Sequence, residues 1–281
     1  SMTDIRDEIF KDKINSTIFA EIVAKESGIL AGAAAARSEA RDLGLTVLHW
    51  LEDGAPVAAG DRIARFTGSP KQIAMAEEVL MGHMAKPSGI ATAAKQFVDK
   101  AGGRPKIVSG SWKKMPIHLK DIIRSAVSAG GASIRICDTP FLYLDKNYLR
   151  MLGGIRNTLA ATSNLNGRKR VIQVHGHFSD IAIEACEAAE NMADIIFIDT
   201  GNISDAEAVI RILAEKNLRQ QVQIAFAGGI QLADMDHIKS LDIDILDVGR
   251  AIVDAPLLDM RLEVALDEFS SYIHSIKELN T

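Results

Sequence analysis

From Lys106 to Val248 the chain repeats one pattern: a short apolar run, a helical stretch, then another apolar run. The runs are 106–109, 132–136, 141–144, 171–174, 195–199, 223–227 and 245–248, and the helical stretches are 117–129, 149–165, 181–192, 204–216 and 232–241. Runs this short and this apolar suit strands buried on both faces. Helices between them act as right-handed crossovers, which makes the strands parallel. Six or seven strands are expected. That is short of the eight that close a β/α barrel. The fold class is therefore α/β, with an open (incomplete) β/α barrel.

The first hundred residues have a different rhythm. A polar helix is followed by a β-prone segment at 16–24, an Ala-rich helix at 31–43, and strands at 46–51 and 63–67. Turn signals at Asp53-Gly54 and Gly60-Asp61 separate them. This is the pattern of a small α/β sandwich. A long helical region then runs from Pro70 to about Ala101. Pro87 should interrupt it, and Ser88 should cap a new helix. The expected organisation is an N-terminal α/β sandwich with its linking helix over 1–103, the open barrel over 104–256, and an amphipathic helix over 257–281 that packs back on the N-terminal domain.

Composition bounds the partners. Of 281 residues, 47% are hydrophobic, enough for a full core, and the net charge is −5. A mildly acidic chain without a basic run argues against nucleic acid as a partner. No apolar run approaches the roughly 18 residues needed to cross a bilayer, so no membrane partner is expected. The two cysteines, Cys137 and Cys186, have no neighbour at metal-ligand spacing and fit a reducing compartment. The start, Ser1-Met2, has no signal-peptide pattern, and Ser1 reads as a tag remnant. The expectation is a cytoplasmic enzyme.

In a parallel barrel, chemistry gathers at the C-terminal ends of the strands. Those positions hold Ser109, Gly110, Ser111 and Lys113; Arg135 and Asp138; Asp145, Lys146 and Asn147; His175 and His177; Asp199 and Thr200; Gly228 and Gly229; Gly249 and Arg250. Any one of them could be a solvated loop residue, but the series mixes cations and carboxylates in a way that suits an anionic substrate and Mg²⁺. The runs IAFAGGI (224–230) and ILDVGRA (245–251) end in glycine before helical stretches. Barrels often bind phosphate after the last two strands, where glycine lets backbone N–H groups come close. His175 and His177, at i and i+2, face the same way and could ligate a metal, or contact substrate, or lie on the surface. Asp199, near the end of IIFIDT, could cap the next turn, or serve as a Mg²⁺ or hydroxyl partner.

Several longer segments carry a resemblance. AEEVLMGHMAKPSGIAT (76–92), KIVSGSWKKMP (106–116), SAGGASIR (128–135), IIFIDT (195–200), AGGI (227–230) and DVGRA (247–251) look like quinolinate phosphoribosyltransferase, the carboxylating nicotinate-nucleotide pyrophosphorylase. SGIAT and the small-domain phrase DGAPVAAGDRI (53–63) are the clearest marks, and the order and spacing hold over nearly the whole chain. The resemblance implies an N-terminal sandwich, an open barrel and a homodimer, or a higher oligomer of dimers, whose site the partner's first domain completes. It implies a pentosyltransferase of NAD biosynthesis, joining quinolinate to phosphoribosyl pyrophosphate with Mg²⁺ and releasing pyrophosphate and CO₂.

Carried over residue by residue, the match is uneven. The family's Thr-Arg-Lys-Thr becomes Ser111-Trp112-Lys113-Lys114, and its His-Arg becomes Ile134-Arg135. Its Lys-Asp-Asn-His becomes Asp145-Lys146-Asn147-Tyr148, an acidic residue on the fourth strand becomes Gln173, and an arginine from the first domain becomes Glu78. Its Asp survives as Asp199 and its phosphate-loop glycines as Gly228 and Gly229, while the glutamate before them becomes Ala225. The resemblance thus implies Lys113 and Asp199 as catalytic, with Asp199 also facing Mg²⁺. Ser111, Trp112, Arg135, Lys146, Gln173 and His175 would contact the acid and ribosyl pyrophosphate. Gly228, Gly229, Gly249 and Arg250 would hold phosphate. The lost cations leave two further readings open: a relative acting on another small aromatic or heterocyclic acid, and a non-catalytic binder of a nucleotide or ribose phosphate.

Overall fold

A computed structural model describes residues 3–266. The chain forms two compact units. Among the described residues, one comprises 3–92, 121–130 and 255–266, and the other Ala93–Lys120 and Gly131–Asp254. No helix among the described residues is long and apolar enough to cross a membrane.

The first unit contains β1 (Ile18–Ala24), β2 (Gly28–Ile29), β3 (Thr46–Trp50), β4 (Pro56–Val57), β5 (Arg62–Gly68) and, from the far end of the chain, β12 (Met260–Val264). Four of these make an antiparallel sheet in the order β12-β1-β5-β3. Its inward side chains, among them Ile22, Ile63 and Phe66, are fully buried with Leu30, Leu80 and Met84. Trp50 stacks on Phe66 with ring centroids 6.1 Å apart. The helix Pro70–Val79 starts on a capping box: the Ser69 side chain accepts from Gln72 N, and the Ser69 N–H donates to the Gln72 side chain.

Two expectations fail here, each for a local reason. Pro87 does not end a helix. It sits in the first turn of Ala85–Ala101, where a missing N–H goes unnoticed because that turn has no carbonyl to bond. Ser88 is therefore inside the helix and is not its cap; its buried hydroxyl instead accepts from Ala31 N at 2.9 Å and donates to Ala31 O at 3.2 Å. The predicted C-terminal helix is a strand over 260–264, paired antiparallel to β1. Met-Arg-Leu-Glu-Val alternates, and the period-2 pattern prevails over the helical one. Residues 267–281 of that prediction lie outside the described part of the chain.

The second unit is built on β6 (Lys106–Val108), β7 (Phe141–Leu144), β8 (Lys169–Val174), β9 (Ile195–Asp199), β10 (Gln223–Ala227) and β11 (Ile245–Asp247). All pair in parallel, in the order β6-β11-β10-β9-β8-β7. Val171, Ile195, Phe197, Ala225 and Ile245 fill one face of this sheet. The expected run at 132–136 is not a strand; only Ser133 bridges to Val108. Gly130-Gly131 precede it, and Gly131 has φ +88°, a left-handed turn that gives the segment too short a run-up to pair along its length. Six strands with an open edge result, the open α/β barrel expected from the pattern. The helix expected over 149–165 breaks into Lys146–Leu152 and Ile155–Ala161 at Gly153 (φ +85°) and Gly154 (φ +112°).

Candidate active site

The C-terminal ends of the barrel strands surround a cavity of about 1180 Å³, which lies wholly within the second unit. Its floor is set by register. Ala227 pairs with Asp199 on one side and with Asp247 on the other, so two carboxylates flank the start of the Gly228-Gly229 loop. Both line the cavity.

The glycine loop has a steric origin. Gly228 adopts φ +114°, and a Cβ there would stand 2.5 Å from Gly201 N. Gly229 adopts φ +62° with open space beside it, so its backbone is accessible from the cavity. Gly249 approaches the turn after β6, where a Cβ would meet Ser111 Oγ at 2.6 Å. Glycine at these positions brings three backbone segments together in a cradle of the kind anions use. Arg250 follows; its side chain is 91% exposed and pairs with Asp254 at 3.1 Å.

The turn Ser111–Lys114 carries the next wall. Trp112 Nε1 donates to Ile134 O at 3.2 Å, which fixes the indole against the segment bearing Arg135. Lys113 Nζ lies 6.0 Å from the Trp112 ring and 5.3 Å from the Tyr143 ring, within cation–π range. Tyr143 meets Phe197 edge to face at 5.7 Å. The walls are thus aromatic and the cations Lys113 and Arg135 stand at their rim. Asp247 Oδ1 accepts from Gly110 N at 3.3 Å, tying the turn to β11. Burial, reinforced by the Asp199 charge, pushes the Asp247 carboxyl up to about 6.

Of the residues expected at the site, Ser111, Trp112, Lys113, Arg135, Asp199, Gly228, Gly229, Gly249 and Arg250 line this cavity. Gln173, Lys146 and His175 do not. Gln173 is a buried bridge behind the wall: its side chain receives Lys146 N and donates to Tyr143 and Asp199. Lys146 contributes its backbone N–H to that bridge. His175 stacks on His177 with centroids 5.0 Å apart, and Arg150 approaches His177 Nδ1 at 3.4 Å. Burial holds the His175 imidazole below its usual pKa, with Asp199 opposing. Among the described residues, no group of three or more His, Cys, Asp or Glu side chains could hold a metal alone. Asp145 caps the helix Lys146–Leu152 by accepting from Asn147 N and Tyr148 N, and Glu78 pairs with Arg6 at 2.5 Å.

Tyr143 and Asp247, both lining the cavity, escaped the strand-end reading. Tyr143 lies one residue before the end of β7, and alternation in Phe-Leu-Tyr-Leu places it with Phe141 on the cavity face. Asp247 ends ILD as Asp199 ends IIFID, a parallel that was available in the sequence.

Fold and cavity together define an α/β protein with a glycine-lined, carboxylate-bearing cavity at the strand ends of an open barrel. The chain belongs to the quinolinate phosphoribosyltransferase family: residues 4–88 match the family's N-terminal domain and residues 90–263 its C-terminal domain. The probable nicotinate-nucleotide pyrophosphorylase [carboxylating] of Methanothermobacter thermautotrophicus is 25% identical over 265 residues, 93% of each chain. The human nicotinate-nucleotide pyrophosphorylase [carboxylating] is 26% identical over 252 residues, 89% of this chain and 83% of that one. Among solved structures, nicotinate-nucleotide pyrophosphorylase from Ehrlichia chaffeensis shares the fold with a TM-score of 0.78 at 19% identity, covering 93% of this chain and 92% of the other.

Proposed function

We propose that this protein is a phosphoribosyltransferase that joins quinolinate to phosphoribosyl pyrophosphate, giving nicotinate mononucleotide, pyrophosphate and CO₂. The observation that carries this reading is the convergence, in one cavity, of a glycine cradle, the Asp199 carboxylate and aromatic walls with cations at the rim. The cradle of Gly228, Gly229 and Gly249, with Arg250 beside it, suits the 5-phosphate. Trp112 offers a flat face to a pyridine ring, and Lys113 and Arg135 suit its carboxylates.

The C1–O bond of the ribosyl pyrophosphate breaks towards pyrophosphate while the ring nitrogen bonds to C1. Positive charge develops on the ribosyl group, and a fixed negative charge such as that of Asp199, which lines the cavity, stabilises it. Lys113 neutralises charge on the leaving group or the acid. Asp199 supplies a hard oxygen donor of the kind Mg²⁺ accepts alongside substrate phosphates. Such an ion would offset the pyrophosphate charge. The protein acts as a homodimer, as the resemblance implies, which sedimentation checks.

The deciding experiment incubates purified protein with quinolinate, phosphoribosyl pyrophosphate and Mg²⁺. Nicotinate mononucleotide and pyrophosphate are expected in equal amounts. Absence of both refutes the reading.

A further inference from the structure

The orientation of the Gln173 amide fixes where a neighbouring proton points. Its Oε1 lies 3.0 Å from the backbone N–H of Lys146. An N–H needs an acceptor, so the oxygen faces Lys146 and the NH₂ faces the other way. That NH₂ lies 2.6 Å from the Tyr143 hydroxyl and 3.3 Å from Asp199 Oδ2. Its two hydrogens are then both committed, one to each oxygen. Gln173 is 6% exposed, so water does not compete for it.

Tyr143 must accept from Gln173, which leaves its own proton to find a different partner. No other hydrogen-bond partner of the hydroxyl occurs among the described residues, and Tyr143 borders the cavity. Burial, with the Asp199 charge adding to it, raises the phenol's pKa beyond its usual range, so the proton stays. Asp199 has the opposite need: Oδ2 receives Gln173, and Oδ1 is left to accept. One nitrogen therefore presents a donor and an acceptor side by side at the cavity floor. A carboxylate or phosphate ligand does not match this pair, because it brings no proton for Asp199 and its charge is repelled there. Two adjacent hydroxyls match it, one accepting and one donating.

We propose that Tyr143 is a substrate-binding residue which, paired with Asp199 by Gln173, reads the vicinal diol of the ribosyl group. The proposal rests on the phosphoribosyl reading and adds a contact that the strand-end residues did not include. Gln173 is a positioning residue, touching Tyr143 and Asp199 but not the ligand.

The test is calorimetric and needs no turnover. Ribose 5-phosphate, 2-deoxyribose 5-phosphate and 3-deoxyribose 5-phosphate are titrated into the wild type and Tyr143→Phe. With ribose 5-phosphate the variant should bind about tenfold more weakly, the loss of roughly one good hydrogen bond. With one of the two deoxy sugars the variant and wild type should bind alike, because the reading hydroxyl is gone. Equal binding of ribose 5-phosphate by both proteins overturns the proposal. So does a loss of the same size for all three ligands, which would mark a structural defect. Failure of the wild type to bind ribose 5-phosphate instead overturns the phosphoribosyl reading beneath it.

Discussion

Gly201 and Gly228 meet backbone to backbone beyond the ends of β9 and β10: a Cβ on Gly201 would stand 2.3 Å from Gly228 O, and one on Gly228 would stand 2.5 Å from Gly201 N. Both also adopt positive φ, +68° and +114°. Overlap with backbone cannot be relieved by a rotamer change, so the loop itself must move. Gly228→Ala should cost about 2–4 kcal/mol of stability, strain and steric overlap acting together. Gly229→Ala, with φ +62° but open space, should cost only about 1–2 kcal/mol. Thermal unfolding of the two variants checks the difference, and the Gly228 variant should also lose ribose 5-phosphate affinity.

Asp247 makes a pH prediction. Its carboxyl is raised from 3.8 to about 6 in the folded protein, chiefly by burial. The folded state therefore binds its proton more tightly than the unfolded state does. This group stabilises least when ionised: its contribution falls as pH rises from about 4 to about 6 and stays low above that. Ionised Asp247 should cost up to roughly 3 kcal/mol. Asp247→Asn keeps an acceptor for Gly110 N and removes the charge. Its melting temperature should exceed the wild type's at pH 7.5 and match it at pH 4. A gain of equal size at both pH values would refute the assignment.

Much of this was legible in the sequence, for stated reasons. The strand–helix alternation from Lys106 onward is a long-range periodic signal, and six of the seven expected runs pair in the sheet. The glycine loops were legible because only glycine tolerates the backbone they adopt. The interior of the site was less so. Gln173 enters the sequence reading only as the replacement of an acidic residue expected to contact substrate, yet its burial and amide orientation place it behind the wall, which the sequence does not show. Tyr143 was hidden because strand alternation shows which face a residue takes, not which face lines a cavity. The strand over 260–264 was masked by flanking residues whose helical periodicity is stronger over a long window.

Ser88 offers a test of the rebuilt helix start. Its hydroxyl is fully buried and serves both backbone groups of Ala31. Ser88→Ala removes both partners at once and leaves a buried N–H and carbonyl without them. A loss of about 1–3 kcal/mol is expected by denaturant titration. Were Ser88 only a surface helix cap, Gly would restore most of the loss; at this buried interior site Ser88→Gly should be worse than Ala.

Arg219 holds the opposite rim of the barrel. Its side chain, 13% exposed, reaches Asp242 Oδ2 at 2.7 Å, Asp244 Oδ2 at 2.9 Å and the Val222 carbonyl at 2.8 Å. Arg104 pairs with the same two carboxylates. Burial acts to raise the Asp244 carboxyl, but the Ile224 N–H and the two guanidiniums outweigh it and hold the pKa below 3.8. A depressed carboxyl contributes stability that is present above pH 4 and lost as pH falls through the folded value. Arg219→Ala leaves that carboxylate half-buried with a single guanidinium, and should cost about 2–3 kcal/mol at pH 7. The penalty should shrink as pH falls through the depressed folded pKa of Asp244, where the carboxylate takes up its proton. Arg219→Lys should recover only part of it, since one ammonium cannot span two carboxylates and a carbonyl. A penalty independent of pH would show that Arg219 acts through packing alone.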